Sequence, residues 1–277
     1  MKTKMKHFAR LLLAGLLLGG GGSVVQASPL QNGLQAYYQF DANGNDSSGN
    51  GLNLDLFGGV GFATGIFGQA LDLHANASQY AQRPFSDPVF DFGANDFTIQ
   101  IWVNFNSVTS AEQTIFEKAS EFGAPGWTIS KITRSGLDGV ELYATGIGPI
   151  DSPALTITSG AWHQLIARRQ GVTFDFFYDD LLVASAISSV AITPSPNSLL
   201  VGKRNPDDPR GGFPVDGRLD EIAVWSRSLS NKEISALYNS GNGTAIDLSS
   251  APIPEPTMMV LLCAGLAGLA GFRTGRK

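Results

Sequence analysis

Apolar and polar residues alternate most cleanly over residues 98–105, where Ile99, Ile101, Val103 and Phe105 share one side and Thr98, Gln100 and Asn104 the other. A period of two marks a strand with one buried face. Shorter apolar stretches at 34–40, 69–73, 79–82, 114–117, 126–133, 140–145, 162–169, 173–178, 181–184, 199–202 and 218–225 predict further strands, because clusters of glycine, proline, serine and aspartate punctuate them. Asp179 and Asp180 alone separate 173–178 from 181–184. That predicts a two-residue hairpin, since aspartate tolerates a positive φ better than most residues. One segment changes period. Ser230-Asn231-Lys232-Glu233 reads as a capping box, with Leu229 placed to staple against Ile234. Ile234, Leu237 and Tyr238 form an apolar stripe that Gly241 is expected to end. Many short strands, glycine turns and one short helix predict an all-β fold, a two-sheet antiparallel β-sandwich.

Both ends depart from this pattern. Lys2, Lys4, Lys6 and Arg10 precede an apolar run at 11–18, and Val25-Gln26-Ala27 forms a small-residue cleavage site. Residues 1–27 are therefore expected to be a secretory signal peptide. At the other end, Pro254-Glu255-Pro256 precedes an apolar run at 257–272 and then Arg273, Arg276 and Lys277. Such a run, as a helix, reaches about 24 Å, short of a ~30 Å hydrocarbon core. It spans only with local thinning and with its basic flank at the cytoplasmic surface. The tripeptide, short apolar run and basic end, in that order, resemble the PEP-CTERM sorting signal. The motif here reads Ile253-Pro-Glu-Pro-Thr257, a conservative variant of its usual form. The resemblance implies a Gram-negative host, an exosortase-like processing enzyme, transient residence in the inner membrane, and delivery to a cell surface rich in exopolysaccharide.

The body between these signals excludes some partners. With the four leader cations, the three tail cations and Glu255 set aside, 12 Lys and Arg face 23 Asp and Glu, a balance of about −11. No nucleic acid is expected as partner, because neutralising phosphates needs cations. Cys263, the one cysteine, lies in the terminal apolar run, so the body holds no disulfide. One loop is rich in oxygen ligands. Asp41, Asn43, Asp46 and Asn50 stand among serines, with Gly44, Gly49 and Gly51 to turn the chain. A hard cation such as Ca²⁺ takes six to eight oxygens, so this loop is a candidate for a structural calcium. The same composition also builds an Asx-rich connection that hydrogen-bonds only itself.

Four segments in order resemble the LamG-like, concanavalin A-like jelly-roll family. They are Gly33-Leu-Gln-Ala-Tyr-Tyr-Gln-Phe-Asp41 with Asp46-Ser-Ser-Gly-Asn-Gly51; Gly68-Gln-Ala-Leu-Asp-Leu73 with Asp96-Phe-Thr-Ile-Gln-Ile-Trp-Val103; Trp162-His163 leading to Phe177-Tyr-Asp-Asp-Leu-Leu-Val-Ala184; and Gly217-Arg-Leu-Asp-Glu-Ile-Ala-Val-Trp225 with the capped helix. Asp180 stands where the family usually has glycine. The resemblance implies a jelly-roll sandwich in which the acidic loop meets the last long strand, which adds Asp220 to the metal candidates. Strict alternation would put Asp220 on the face of Ile222 and Val224, where a carboxylate must be paired, bound to a metal or bonded to backbone N–H groups. The expected domains are a signal peptide at 1–27, a LamG-like domain at 28–242, a linker at 243–253 and a sorting segment at 254–277.

Catalysis is not expected. Glycosidases of this fold need two carboxylates flanking the scissile bond, and no Glu-x-Asp-x-x-Glu or similar pattern occurs. Asp220 and Glu221 are expected on opposite faces, and His163 is read as a strand residue. Trp127 and Phe213 are candidate exposed platforms for a ligand. The functional expectation is a secreted binding module for extracellular polysaccharide or a cell-surface protein. The alternatives are a structural surface protein without specific ligand, or a glycoside hydrolase of the same fold.

Overall fold

The computed structural model describes residues 30–75, 78–119, 125–205 and 212–249. The expected leader, 1–27, and the sorting residues Pro254, Glu255, Pro256, Arg273 and Arg276 lie outside the described residues. In chain order the strands are β1 (Leu34–Tyr38), β2 (Asp55–Phe57), β3 (Gly61–Thr64), β4 (Gln69–Leu73), β5 (Tyr80–Gln82), β6 (Phe97–Phe105), β7 (Glu112–Ala119) and β8 (Gly126–Arg134). They continue with β9 (Leu137–Ala144), β10 (Gly148–Asp151), β11 (His163–Gln170), β12 (Thr173–Tyr178), β13 (Leu181–Ile187), β14 (Leu200–Val201) and β15 (Gly217–Trp225), before helix α1 (Asn231–Tyr238). One sheet has eight strands in the order β13-β12-β11-β6-β15-β4-β3, with β1 also paired to β15. The other has seven, ordered β10-β9-β8-β7-β14-β5-β2. Every strand pair is antiparallel. The expected jelly-roll sandwich is what forms.

The main core lies between the sheets. Ile99, Ile101, Val103 and Phe105 of β6 pack there with Leu219, Ile222 and Val224 of β15, Phe116 of β7 and Trp127 of β8. The expectation of one buried face on β6 needs correction, since the whole strand is buried. Its other face lies under α1: Trp102 stacks on Tyr238 with ring centroids 6.1 Å apart, and Thr98 Oγ1 accepts a hydrogen bond from the Leu229 amide at 2.9 Å. A second apolar cluster of Leu34, Tyr37, Phe177, Trp225, Leu229, Ile234, Leu237 and Ile246 fills this outer layer. A helix this short is marginal alone, so packing and capping hold it. Ser230 and Glu233 form the reciprocal capping box, and Leu229 and Ile234 are both buried. The helix ends at Tyr238, before Gly241, because Asn239 takes the left-handed conformation with φ 47°.

The hairpin at Asp179 and Asp180 forms with φ of 50° and 64°, and Tyr178 pairs with Leu181. Three strands escaped the hydrophobic pattern: β2, β3 and β10 are short and mostly exposed, each turning one apolar residue inward (Leu56, Phe62 and Ile150), too few to imprint a period. The expected linker at 243–253 is also corrected in its described part. Ile246 is buried, Thr244 Oγ1 donates to the Ala236 carbonyl at 2.7 Å, and Gln31 donates to the Asp247 carbonyl at 2.5 Å. This strap closes over the outer face of the eight-stranded sheet.

Candidate functional site

The acidic loop residues fold into two clasps. Asp46 Oδ1 accepts from the backbone N–H groups of Tyr37 at 3.0 Å and Ser48 at 2.9 Å, and Oδ2 accepts from Leu52 at 3.0 Å. It thereby ties the loop to the end of β1. Asn43 accepts from the Asn45 amide at 2.8 Å and donates to the Asp41 carbonyl at 2.7 Å, while Asn50 donates to the Gln35 carbonyl at 2.9 Å. Asp41 and Asp220 hold the turn between β3 and β4 instead. Asp41 Oδ1 accepts from Gln69 N at 2.7 Å, and Asp220 Oδ2 accepts from Ile66 N at 2.8 Å and Phe67 N at 3.3 Å. Gly65 and Gly68 let these carboxylates approach, since a Cβ on either would lie within 2.5 Å of a carboxylate oxygen.

This donor chemistry does not fit a Ca²⁺ held by the five candidates. A cation needs carboxylate lone pairs converging on one point, whereas Asp46 and Asp220 aim both oxygens at N–H groups and Asn43 and Asn50 turn amide donors on carbonyls. Among the described residues no group of three or more His, Cys, Asp or Glu is disposed to hold a metal ion.

A bulge in β15 explains where Asp220 lies. Register against β6 shifts between Asp220 and Ala223, and Glu221 takes φ 49°. One extra residue reverses the facing of everything before it. Asp220 therefore sits opposite Trp102 on the outer face, not with Ile222 and Val224 as strict alternation implied. Glu221 joins it there, against the expectation of opposite faces, and accepts a hydrogen bond from the Tyr37 hydroxyl. The Ile246 amide donates to the same hydroxyl at 3.4 Å, so the strap, β1 and the bulge meet at Tyr37. Burial, with Glu221 second, pushes the Asp220 carboxyl up to about 8 against three backbone N–H bonds. Burial, aided by Asp41, raises Glu221 to about 7.

The two aromatic candidates also need correction. Trp127 is 1% exposed and donates from Nε1 to the Phe90 carbonyl at 2.8 Å, because inward parity on β8 puts it in the core. Phe213 is half-buried and packs under the Arg204 guanidinium, 5.1 Å from its ring centre. His163 points Nδ1 at Asp179 Oδ2, 2.7 Å away, stacks on Tyr178 and supports the hairpin.

The outer face of the seven-stranded sheet is the surface that the hydrophobic pattern overlooked. One cross-strand row runs Tyr143, Thr128, Glu117, Leu200, Gln82 and Asp55, and a second runs Glu141, Ser130 and Thr114. Glu117 Oε2 accepts from Thr128 Oγ1 at 2.9 Å and Arg204 Nε at 3.1 Å, while Oε1 accepts from Asn205 N at 2.9 Å. Arg204 also reaches Glu112 at 2.6 Å. Arg134 bridges Glu141 and, at 2.6 Å, Asp151. Burial raises Glu117, with Asn205 and Arg204 pulling it back; burial and Asp151 push Glu141 up to about 7. A shallow pocket of about 190 Å³ opens beside Arg134, lined by Ile132, Leu137, Asp138 and Asp151. Polar residues at 112, 114, 117, 128, 130, 141 and 143 were the signal, legible only once strand parity is known.

Comparison with known proteins places the chain in context. A family model described as the concanavalin A-like lectin/glucanases superfamily matches residues 75–235, more than half of the chain. A second, the PEP-CTERM protein-sorting motif, matches 252–277. No curated protein matches. Among solved structures, domain 4 of AbnA, a GH43 extracellular arabinanase from Geobacillus stearothermophilus in complex with arabinotriose, superposes with a TM-score of 0.58 at 18% identity, covering 76% of this chain and 98% of that one. The binding domain of Paraclostridial Mosquitocidal Protein 1 gives 0.59 at 18% identity, covering 76% of this chain and 53% of that one. The binding domain of botulinum neurotoxin DC in complex with SialylT gives 0.56 at 14%, covering 76% and 52%. The chain thus spans about half the length of these toxin domains, and the likeness is one of fold.

Proposed function

The chain belongs to the concanavalin A-like lectin/glucanase superfamily and carries a PEP-CTERM sorting motif, and on that premise we propose that it is an exported, non-catalytic module that binds extracellular carbohydrate. The observation that carries this reading is the polar outer face of the seven-stranded sheet. Its centre, at Thr114, Glu117, Thr128, Ser130 and Glu141, is buried with its carboxylates and hydroxyls already committed, so a hydroxyl-rich ligand is met at the open edge around Asp55, Phe57 and Gln82. Glycoside hydrolysis needs one carboxyl poised as acid and a second free as nucleophile or base. Glu117 has both oxygens taken by Arg204, Thr128 and Asn205, and Glu141 is bound by Arg134. The arabinotriose complex of the AbnA domain supports an oligosaccharide as the ligand class. The motif at 252–277 supports export, processing by an exosortase-like enzyme after transient anchoring in the inner membrane, and a place in the surface matrix of a Gram-negative cell.

A glycan array probed with the purified protein, run beside a reducing-sugar assay on the glycans that bind, tests both halves. Binding without sugar release is the expected result. A blank array would leave a structural surface protein, and release of sugar abolished by a single carboxylate-to-amide change would make it a hydrolase.

A further inference from the structure

Phe57 is the exposed aromatic residue whose setting differs most from ordinary surface scatter. It lies on β2, the edge strand of the seven-stranded sheet, and is 38% exposed. Its ring stacks on Tyr80 of β5 with centroids 4.8 Å apart and planes 9° apart, while Lys203 places its ammonium 3.9 Å from the Tyr80 ring centre. Two residues along the register, the pair Asp55 and Gln82 shares this outer face. Phe85, 71% exposed, follows three residues beyond Gln82.

We propose that the Phe57–Tyr80 stack is a carbohydrate-stacking platform for an uncharged polysaccharide chain lying along the outer edge of the seven-stranded sheet. The inference rests on the reading of the molecule as a glycan-binding module and names the site and class of ligand. Three features support it. Stacking and the cation over Tyr80 hold the Phe57 ring in place, so little rotamer freedom is lost when a ligand settles on it. The negative face of an aromatic ring attracts the weakly positive C–H face of a sugar ring, which conceals apolar area without burying hydroxyls. Asp55, Gln82 and Lys203 then offer both acceptors and donors beside the ring, as an oriented, hydroxyl-bearing ligand requires. The ligand is uncharged because the body carries about eleven net negative charges and Asp55 borders the platform, so a polyuronate is repelled.

The test is affinity electrophoresis of the full chain in gels containing arabinan, mixed-linkage β-glucan or galactomannan, with alginate as the polyanion. Retardation by at least one neutral polymer and none by alginate is expected. Phe57→Ala should weaken that retardation at least about tenfold, the scale of one lost stacking contact, while Phe57→Trp keeps it and Leu181→Ala, at an exposed position on β13, leaves it unchanged. Unaltered melting of Phe57→Ala and Phe57→Trp separates loss of the platform from loss of the fold. If the wild type is retarded and Phe57→Ala equally so, or if alginate alone retards it, the platform is wrong and the binding module stands. If no polymer retards the wild type, the module reading falls and takes the platform with it.

Discussion

Glu221 holds a left-handed backbone, φ 49°, in the middle of a buried strand, and a non-glycine residue there costs on the order of 1–3 kcal/mol. The bulge it creates gathers two carboxylates beneath the strap. Their ordinary values of 3.8 and 4.5 rise to about 8 for Asp220 and about 7 for Glu221. Between those limits the native state binds more protons than the unfolded chain, so stability is highest at the acid side of the window and falls as pH rises towards 8. The lowered carboxyls, Asp138, Glu233 and Asp247, lose their contribution only below about 4.5, so the descent is cleanest from pH 5 to 8. Glu221→Gln should flatten it by on the order of 2 kcal/mol, with Asp220, Glu117 and Glu141 leaving a residual slope. Urea midpoints at four or five pH values measure this; a wild-type stability that climbs from pH 5 to 8 would contradict it. Asp46 is the second decisive residue. Removing its carboxylate strands three N–H groups, so Asp46→Ala should cost about 3 kcal/mol. EDTA should leave the melting temperature unchanged, and a Ca²⁺-dependent rise in melting would restore the metal site that the donor geometry argues against.

At the scale of elements, legibility followed burial. β6, β12, the Asp179–Asp180 hairpin and the capping box of α1 could be read directly, because an unbroken alternation of apolar core positions or one turn requirement marks each. The edge strands β2, β3 and β10 carried no legible period, because each of these three- or four-residue strands turns a single apolar residue inward. Asp220 was misplaced for a different reason. Apolar residues at 219, 222 and 224 of β15 already break the period of two, and that break is the mark of the bulge. Both faces of β6 are covered because α1 packs on the outer one, a tertiary fact that local alternation cannot carry. The helix itself depends on its cap. Ser230→Ala removes the acceptor of the Glu233 amide and should destabilise the domain by about 1 kcal/mol. Thermal melts compare it with Lys232→Ala, an exposed change in the same turn expected to be near neutral; equal melting of the two would show that packing alone sets the helix.

At the scale of the whole molecule, the chain end and the fold are joined by the strap. The domain expected to stop at 242 continues through Ile246, whose amide meets the Tyr37 hydroxyl and so reaches the Glu221 bulge. A tail processed near Pro254-Glu255-Pro256 would leave this strap intact, whereas a cut before 246 would strip the outer layer of a buried isoleucine and leave the Tyr37 hydroxyl with one partner fewer. The run at 257–272 is short and rich in glycine and alanine, which on the proposed reading would suit a transient anchor better than a permanent one. The mature extracellular form is therefore expected to begin after Ala27, to end close to Pro254-Glu255-Pro256, and to melt at the temperature of the unprocessed domain. A chain truncated at 242 should melt lower, by on the order of 2 kcal/mol for the loss of one buried isoleucine and its hydrogen bond. Intact-mass measurement of the protein recovered outside the cell decides the first point and calorimetry the second. A mature chain still ending at Lys277 would exclude processing, and identical melting of the forms ending at 242 and 253 would mean that the strap only lies on the sheet without holding it.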